Sequence, residues 1–395
     1  MNIRPLRMEE MIFAEYNRTI CFKMPKNDFE ACRRRIAEGS IPMEGRWGAF
    51  DEENRLMSYL IDNPFEVYFD GQAVPCGGIG SVTTLPEYRG SGCIRALLTR
   101  VLQEGRKNGK IFSMLGPFSA EFYRKFGYET ACAFYGHRLP VKQLAGYRHT
   151  GWTRRIHMAD EQDLSGVCEV IDRFSRRYNL CLCRDESFLR RRWLNQSFEE
   201  ALLTGTSAYL LGDEQGAKDY VMVDCQHADC EVLRVKDLAY VGAEGLRMLL
   251  GFLARMSADY QRVSLRLPEE VVLPALVPDS ASVETRVTCG RMVRVLNVQR
   301  ALELSRRPEG FCAVVEVEDS LLPENSGRYR IGTGVVEKTD RPADLCADIR
   351  VFSQMLIGYL PLESALMRTD VALHGNCEQL ERFFVKKPMF QWEHF

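Results

Sequence analysis

The chain has 395 residues, of which 46% are hydrophobic and 27% charged. These proportions belong to ordinary folded domains and exclude disorder, collagen or a chain-long coiled coil. With 52 Lys+Arg against 54 Asp+Glu the net charge is −2, so no global basic field points to nucleic acid and any anion site must be local.

Charges break every apolar run in Met1–Arg18, whereas a signal peptide needs an uninterrupted apolar stretch of about 7–15 residues. No segment reaches the roughly 18 apolar residues of a membrane span. The 14 cysteines are scattered, with Cys181 and Cys183 the nearest pair and no CxxC. Neither a disulfide framework nor a zinc site has that spacing. The expectation is free thiols, no metal and a reducing, cytoplasmic setting.

In chain order, Trp47–Phe50 and Arg55–Ile61 flank the turn Asp51–Asn54, and Val67–Phe69 and Ala73–Cys76 flank Asp70-Gly71; both read as hairpins. Gly78–Leu85 reads as a strand. A helix is expected from about Ser91 to Asn108, with Ile94, Leu97, Leu98, Val101 and Leu102 on one face and Gly109 closing it. Ile111–Leu115 reads as a buried strand and Ala120–Phe126 as a second short helix. Antiparallel strands followed by strand–helix units predict a mixed α/β (α+β) domain over residues 1–150.

The order begins again over residues 151–290. A helix at Asp163–Tyr178 leads to strands near Ala208–Leu211, Tyr220–Asp224 and Glu231–Val235, a helix at Ala243–Met256 and a strand at Val263–Leu267. Ile94-Arg95-Ala96-Leu97-Leu98 is echoed by Leu246-Arg247-Met248-Leu249-Leu250, 152 residues later, which fits a degenerate repeat. Residues 291–395 read as a third α/β unit, with strands at Met292–Val295, Ala313–Val317, Arg330–Val335 and Ala343–Ile349 and a loop at Leu322–Tyr329. The chain closes Met389-Phe390-Gln391-Trp392-Glu393-His394-Phe395, an aromatic tail expected to dock rather than fray.

The chemistry concentrates in Val82-Thr83-Thr84-Leu85-Pro86-Glu87-Tyr88-Arg89-Gly90-Ser91-Gly92-Cys93-Ile94. A strand enters a glycine-bearing loop and a helix starts there, so free backbone amides, the positive helix end and Arg89 make an anion cradle. The dinucleotide fingerprint is missing, because Arg95 stands at the third glycine position, and no GxxxxGK[ST] P-loop is present.

The run Pro86-Glu87-Tyr88-Arg89-Gly90-Ser91-Gly92 resembles the acetyl-CoA signature R/Q-x-x-G-x-G/A of the GNAT N-acetyltransferases, with Ile94 departing from the final small residue. About 30 residues on, Phe122-Tyr123-Arg124-Lys125-Phe126-Gly127-Tyr128 resembles the FYxKFGY helix of the same enzymes. The two motifs, the degenerate second copy and the third unit together resemble the Eis (enhanced intracellular survival) acetyltransferases. That resemblance implies a catalytic acetyltransferase domain over 1–150, a degenerate one over 151–290 that lacks the phosphate loop, and a sterol-carrier-protein-like domain over 291–395 that brings the C-terminus to the active site.

The resemblance also implies the site. Acetyl-CoA, with no metal, is expected on Val82, Thr83, Thr84, Arg89, Gly90, Ser91, Gly92, Cys93, Ile94 and Ser119. Tyr123 is the expected general acid, since a phenol of pKa about 10 can protonate a leaving thiolate of pKa about 8.5. The α-carboxylate of Phe395 is the expected anchor for an incoming ammonium, with Phe22, Glu393 and His394 around the substrate. The implied reaction is direct transfer to an amine of polyamine, aminoglycoside or lysine type. Partners are then a small-molecule or peptide amine and further copies of the chain, a hexamer by the family's habit, with no nucleic acid and no membrane span. Two alternatives stay open: a CoA- or lipid-binding module without turnover, and a longer-chain acyltransferase.

Overall fold

The computed structural model describes residues 1–23, 26–156, 161–193, 205–224, 231–375 and 377–392. Twelve of its strands form one sheet. In chain order these are β1 (Asn2–Pro5), β2 (Arg46–Phe50), β3 (Leu56–Phe69), β4 (Gln72–Thr84), β5 (Phe112–Leu115), β6 (Glu129–Pro140), β7 (Trp152–Arg155), β8 (Thr206–Asp213), β9 (Gly216–Asp224), β10 (Val232–Tyr240), β11 (Arg262–Leu267) and β12 (Glu284–Val295). Their spatial order is β1-β2-β3-β4-β5-β12-β6-β11-β10-β9-β8-β7. The two expected hairpins are present. The second is longer than its turn signal suggests, because β3 and β4 pair from Phe69↔Gln72 back to Ser58↔Thr84.

β12 changes the expected domain boundary. The sequence suggests Met292–Val295 as the first strand of the third unit. It is instead the end of a 12-residue strand that inserts between β5 and β6 of the first domain. The second domain is joined to the first by this strand and by the β6–β11 pairing, Pro140↔Arg262 to Tyr135↔Leu267. Inserted strands of this kind cannot be read from local periodicity, since β12 and β5 lie far apart in the chain.

Helix α1 (Met11–Phe22) and helix α2 (Lys26–Ala37) lead into the first half of the sheet, and helix α3 (Cys93–Lys107) covers one face. α3 forms where its period predicts. Leu97, Leu98, Val101 and Leu102 are buried against Leu60, Ile79 and Leu115, and Gly109 follows at φ +82°, the left-handed turn that ends a helix. The short helix α4 (Ala120–Arg124) carries Tyr123 into the same core.

The third unit is a five-stranded sheet ordered β15-β14-β13-β16-β17, built from β13 (Ala313–Glu318), β14 (Gly327–Gly332), β15 (Val335–Lys338), β16 (Leu345–Asp348) and β17 (Val371–Leu373). The expected single strand Arg330–Val335 is two strands, because Gly332-Thr333-Gly334 turns the chain and Ile331 pairs with Val336. The helix Ile349–Leu356 packs this unit on the open face of the first domain, where Phe352 and Met355 join Phe69, Phe112 and Met114 in one core. The sheet of the first domain is thus covered by α3 on one side and the third unit on the other.

The tail docks, but on the second domain. The Asn179 amide donates to the Pro388 carbonyl at 2.9 Å, Met389 bridges Asn179, and the Phe390 ring lies 5.4 Å from Phe174. Among the described residues no helix is long and apolar enough to cross a membrane, the cysteines are free, and no three His, Cys, Asp or Glu side chains cluster to hold a metal.

Candidate active site

β4 and β5 run parallel only from Cys76↔Phe112 to Ile79↔Leu115. β4 then continues to Thr84 while β5 has ended, so one edge of Gly80–Thr84 opens onto a cleft. At this point β4 is bulged: Tyr59 pairs with Thr83 and Ile61 with Gly80, so Leu60 faces both Ser81 and Val82. Ser81 takes φ +51°, a strained value for a residue with a Cβ, and the bulge re-aims the backbone beside it. Thr83 and Thr84 keep their hydroxyls for the sheet. Thr83 Oγ1 donates to the Tyr59 carbonyl at 3.2 Å, and Thr84 Oγ1 lies 3.1 Å from Ser58 Oγ. What these residues offer the cleft is therefore backbone, an edge that can receive an extended chain.

The strand leads through Pro86–Tyr88 to Arg89 and the two glycines. Gly90 and Gly92 both sit at φ +82°, which explains glycine at each place through backbone conformation. Gly92 is the N-cap of α3 and supplies no side-chain cap, so the first-turn amides of a 15-residue helix remain open to an anion. The cleft has a volume of about 970 Å³. Val82, Thr83, Thr84, Arg89, Gly90, Gly92, Cys93 and Ile94 line it, with Phe22 of α1 at the far wall. Ser91 lies exposed between the two glycines and turns its hydroxyl back to the Tyr88 carbonyl at 2.6 Å.

Two further expected residues do not themselves line the cleft. Ser119 is the N-cap of α4, its Oγ accepting from the Phe122 amide at 3.3 Å, and it does not reach the cleft. Its place just before a helix explains it without a ligand. Tyr123 is 2% exposed and packs directly against two rings of the cleft wall, edge-on to Phe118 and Phe122 at 5.3 and 5.2 Å. Its hydroxyl has no hydrogen-bond partner among the described residues, and burial raises its pKa to about 12. Tyr128 is the weaker acid candidate. It is fully buried, its hydroxyl is 2.6 Å from Ser113 Oγ, and burial raises its pKa further. Phe395, Glu393 and His394 lie outside the described residues.

Sequence reading missed Arg95 and Lys125, which line the same cleft. Both were legible in retrospect: Arg95 falls in the first turn of α3, and Lys125 is the basic residue of the FYxKFGY run. With Arg89 they put three cations on the wall of the cleft. The residues present thus fit a pyrophosphate-bearing cofactor with a long apolar arm: cations and amides at one end, a free strand edge and the rings of Phe118, Phe122 and Phe126 along the rest.

The second domain repeats the frame without the cradle. Asp219↔Tyr240 holds the register that Ser58↔Thr84 holds in the first domain. Asp219 is fully buried, and burial raises its pKa to about 9. A Cβ on Gly245, in the first turn of the helix Gly242–Ala254, would come within 2.4 Å of Asp219 Oδ1. The Asp219 side chain thus lies close against the first turn of that helix, a place that stays open in the first domain.

Acetyltransferase (GNAT) domain models match residues 2–131 and 180–295, and a sterol carrier protein domain model matches residues 298–391. No curated protein matches the chain significantly by sequence. Among solved structures, a GCN5-related N-acetyltransferase from Anabaena variabilis is similar at 22% identity and a TM-score of 0.86, with both chains covered in full. Eis1 from Mycobacterium abscessus is similar at 20% identity and 0.83, again over both chains in full. A probable N-acyltransferase from Enterococcus faecalis is similar at 22% and 0.84, covering all of this chain and 99% of the other. At these identities the likeness is one of fold, and it extends over all three units. The chain belongs to the GNAT acetyltransferases, with two such domains in tandem and a sterol carrier protein domain after them.

Proposed function

We propose that the protein is an acetyl-CoA-dependent N-acetyltransferase that works through the first domain and passes the acetyl group directly to an amine bound beside the cofactor. The observation that carries this reading is the splayed edge of β4 running straight into an uncapped, cation-flanked helix N-terminus. The cofactor contributes an activated thioester.

The chain's residues do the rest. Arg89, Arg95 and the α3 amides hold the pyrophosphate. The Val82 amide, re-aimed by the bulge at Ser81, polarises the acyl carbonyl. Tyr123 donates its phenolic proton to the departing sulfur. Phe22 walls the acceptor side.

Acceptors of polyamine, aminoglycoside and lysine type all present the primary amine that this arrangement requires. Titrating acetyl-CoA against a panel of such amines and following free thiol tests the reading. Thiol release that needs both partners supports transfer. Cofactor binding with no amine-dependent release would instead make the chain a binding module.

A further inference from the structure

β5 is only four residues long, because Gly116-Pro117 follows Leu115 and a proline has no N–H with which to continue a central strand. The strands on either side of it run on. Leu115 faces Ile79 on one side and Met292 on the other. Past it, β4 continues through Gly80 to Thr84 and β12 extends through Arg291 back to Glu284. At Leu115 these two are two strand spacings apart, about 10 Å. The twist of a sheet turns them roughly 45° from one another, so their free ends stand further apart still. Ser81 and Gly290 are each the extra residue of a bulge. Counted from Leu115, Val82 therefore stands level with Cys289, and Thr84 level with Val287 two steps further out. The β4 edge that receives the cofactor arm has a second edge opposite it.

That edge is open. Glu284–Cys289 pairs with β6 alone, from Arg138 to Ala133, and every one of these residues is exposed although the strand lies inside a twelve-stranded sheet. Alternate residues of an antiparallel pair turn their N–H and C=O groups away from the partner, and among the described residues no backbone other than β6 meets them. Val287, a β-branched side chain on this edge, is 54% exposed. Glu284 is held by Arg262 at 2.6 Å, whereas Arg286 is exposed and has no ion pair or hydrogen bond among the described residues. The neighbouring cleft is cationic as well: Arg89, Arg95 and Lys125 line it, and no Asp or Glu does among the described residues. Nothing on these walls attracts a polycation.

We propose that the free edge of β12 binds the acceptor, and that the acceptor is a peptide: an extended chain added antiparallel to Glu284–Cys289 with its N-terminal α-amine level with Val82. The inference rests on the acetyl-transfer reading and names its acceptor class. The slot closes inward at Gly116, where a Cβ would fall 3.0 Å from Arg291 Nη1, so a chain end fits there and a chain passing through does not. An α-amine of pKa about 7.7–8.0 is also far more often neutral near pH 7.5 than a lysine of about 10.4. Its nitrogen forms the amide as the thioester C–S bond breaks. The sulfur leaves with the Tyr123 proton, and the proton lost by nitrogen returns through water to that phenolate. Main-chain pairing gives affinity without regard to sequence. The first residue of the peptide lies across from Cys289, the third from Val287 and the fourth from Arg286, so an acidic fourth residue is preferred.

The test follows free thiol from acetyl-CoA with the full chain and three acceptors: the peptides Ser-Ala-Val-Glu-Val-Thr and Ser-Ala-Val-Lys-Val-Thr, and spermidine. The glutamate peptide is expected to show a KM about threefold or more below that of the lysine peptide, and Arg286→Glu, at an exposed position, to reverse the order. Backbone N-methylation of the glutamate peptide, one position at a time from the second residue on, is expected to raise KM at least about fivefold at every second residue only. Equal KM values for the two peptides, or a methylation series without that alternation, overturns the proposal. Transfer to spermidine but to neither peptide overturns it and leaves the acetyl-transfer reading standing, whereas transfer to none of the three removes both. A change of sedimentation mass in Arg286→Glu with peptide kinetics unmoved would give the edge to a second copy of the chain and overturn it too.

Discussion

A phenol that protonates a leaving thiolate must hold its proton until the bond breaks, and burial secures this at Tyr123 by raising its pKa to about 12. Burial disfavours a thiolate as it does a phenolate, so a departing sulfur shielded from water also takes up a proton more readily than one in solution. Because the Tyr123 pKa is raised, the acid form persists upward in pH. The rate should therefore show no loss of this group up to about pH 10; a fall centred near pH 8–9 would assign the acid elsewhere. Tyr123→Phe keeps the ring contacts with Phe118 and Phe122, and it should lower kcat about a hundredfold with the acetyl-CoA KM within about twofold. Arg89→Ala and Arg95→Ala should do the reverse. Each removes a charge-assisted contact of roughly 1.5–3 kcal/mol, raising the acetyl-CoA KM about tenfold or more at nearly constant kcat. Steady-state kinetics with acetyl-CoA as the varied substrate separates the two patterns.

At the level of elements, the cleft was legible because its parts are local. The 3.6-residue period of Leu97, Leu98, Val101 and Leu102 gives α3, Gly90 and Gly92 give its entry loop, and Asp70-Gly71 gives the β3–β4 turn. What was not legible depends on distant pairing or on burial. β12 finds its place between β5 and β6 across most of the chain, and nothing in Met292–Val295 says which sheet it joins. The motif picks out Tyr123, but its buried seat follows from the core it shares with Leu97, Phe126 and Tyr128. A buried polar cluster fixes that seat. Arg294, fully buried, pairs with Asp319 of the third unit and donates to the Phe126 carbonyl at 2.5 Å, just past α4. Asn325 donates to Asp319 at 2.9 Å and accepts from Arg106 of α3 at 2.8 Å. Asp319→Ala would strand the Arg294 charge in the core. Urea unfolding should show a loss of about 3–5 kcal/mol, and a loss under 1 kcal/mol would mean the pair is not holding the domains together.

Across the whole molecule, the three units are one structure rather than beads on a chain. The third unit covers the face of the first sheet opposite α3, β12 stitches the second domain into the first, and the tail to Trp392 is held on the second domain, with Arg266 5.4 Å over the Trp392 ring. Arg266 also lies 4.4 Å over Phe134 of β6. The central claim, transfer to an amine in the first-domain cleft, is tested most directly by following free thiol from acetyl-CoA with and without a panel of primary amines, with the acetylated product identified by mass. The account predicts release that requires the amine, yields one acetylated amine per thiol, and falls about a hundredfold in Tyr123→Phe. Release independent of amine, or full activity in that variant, would contradict it.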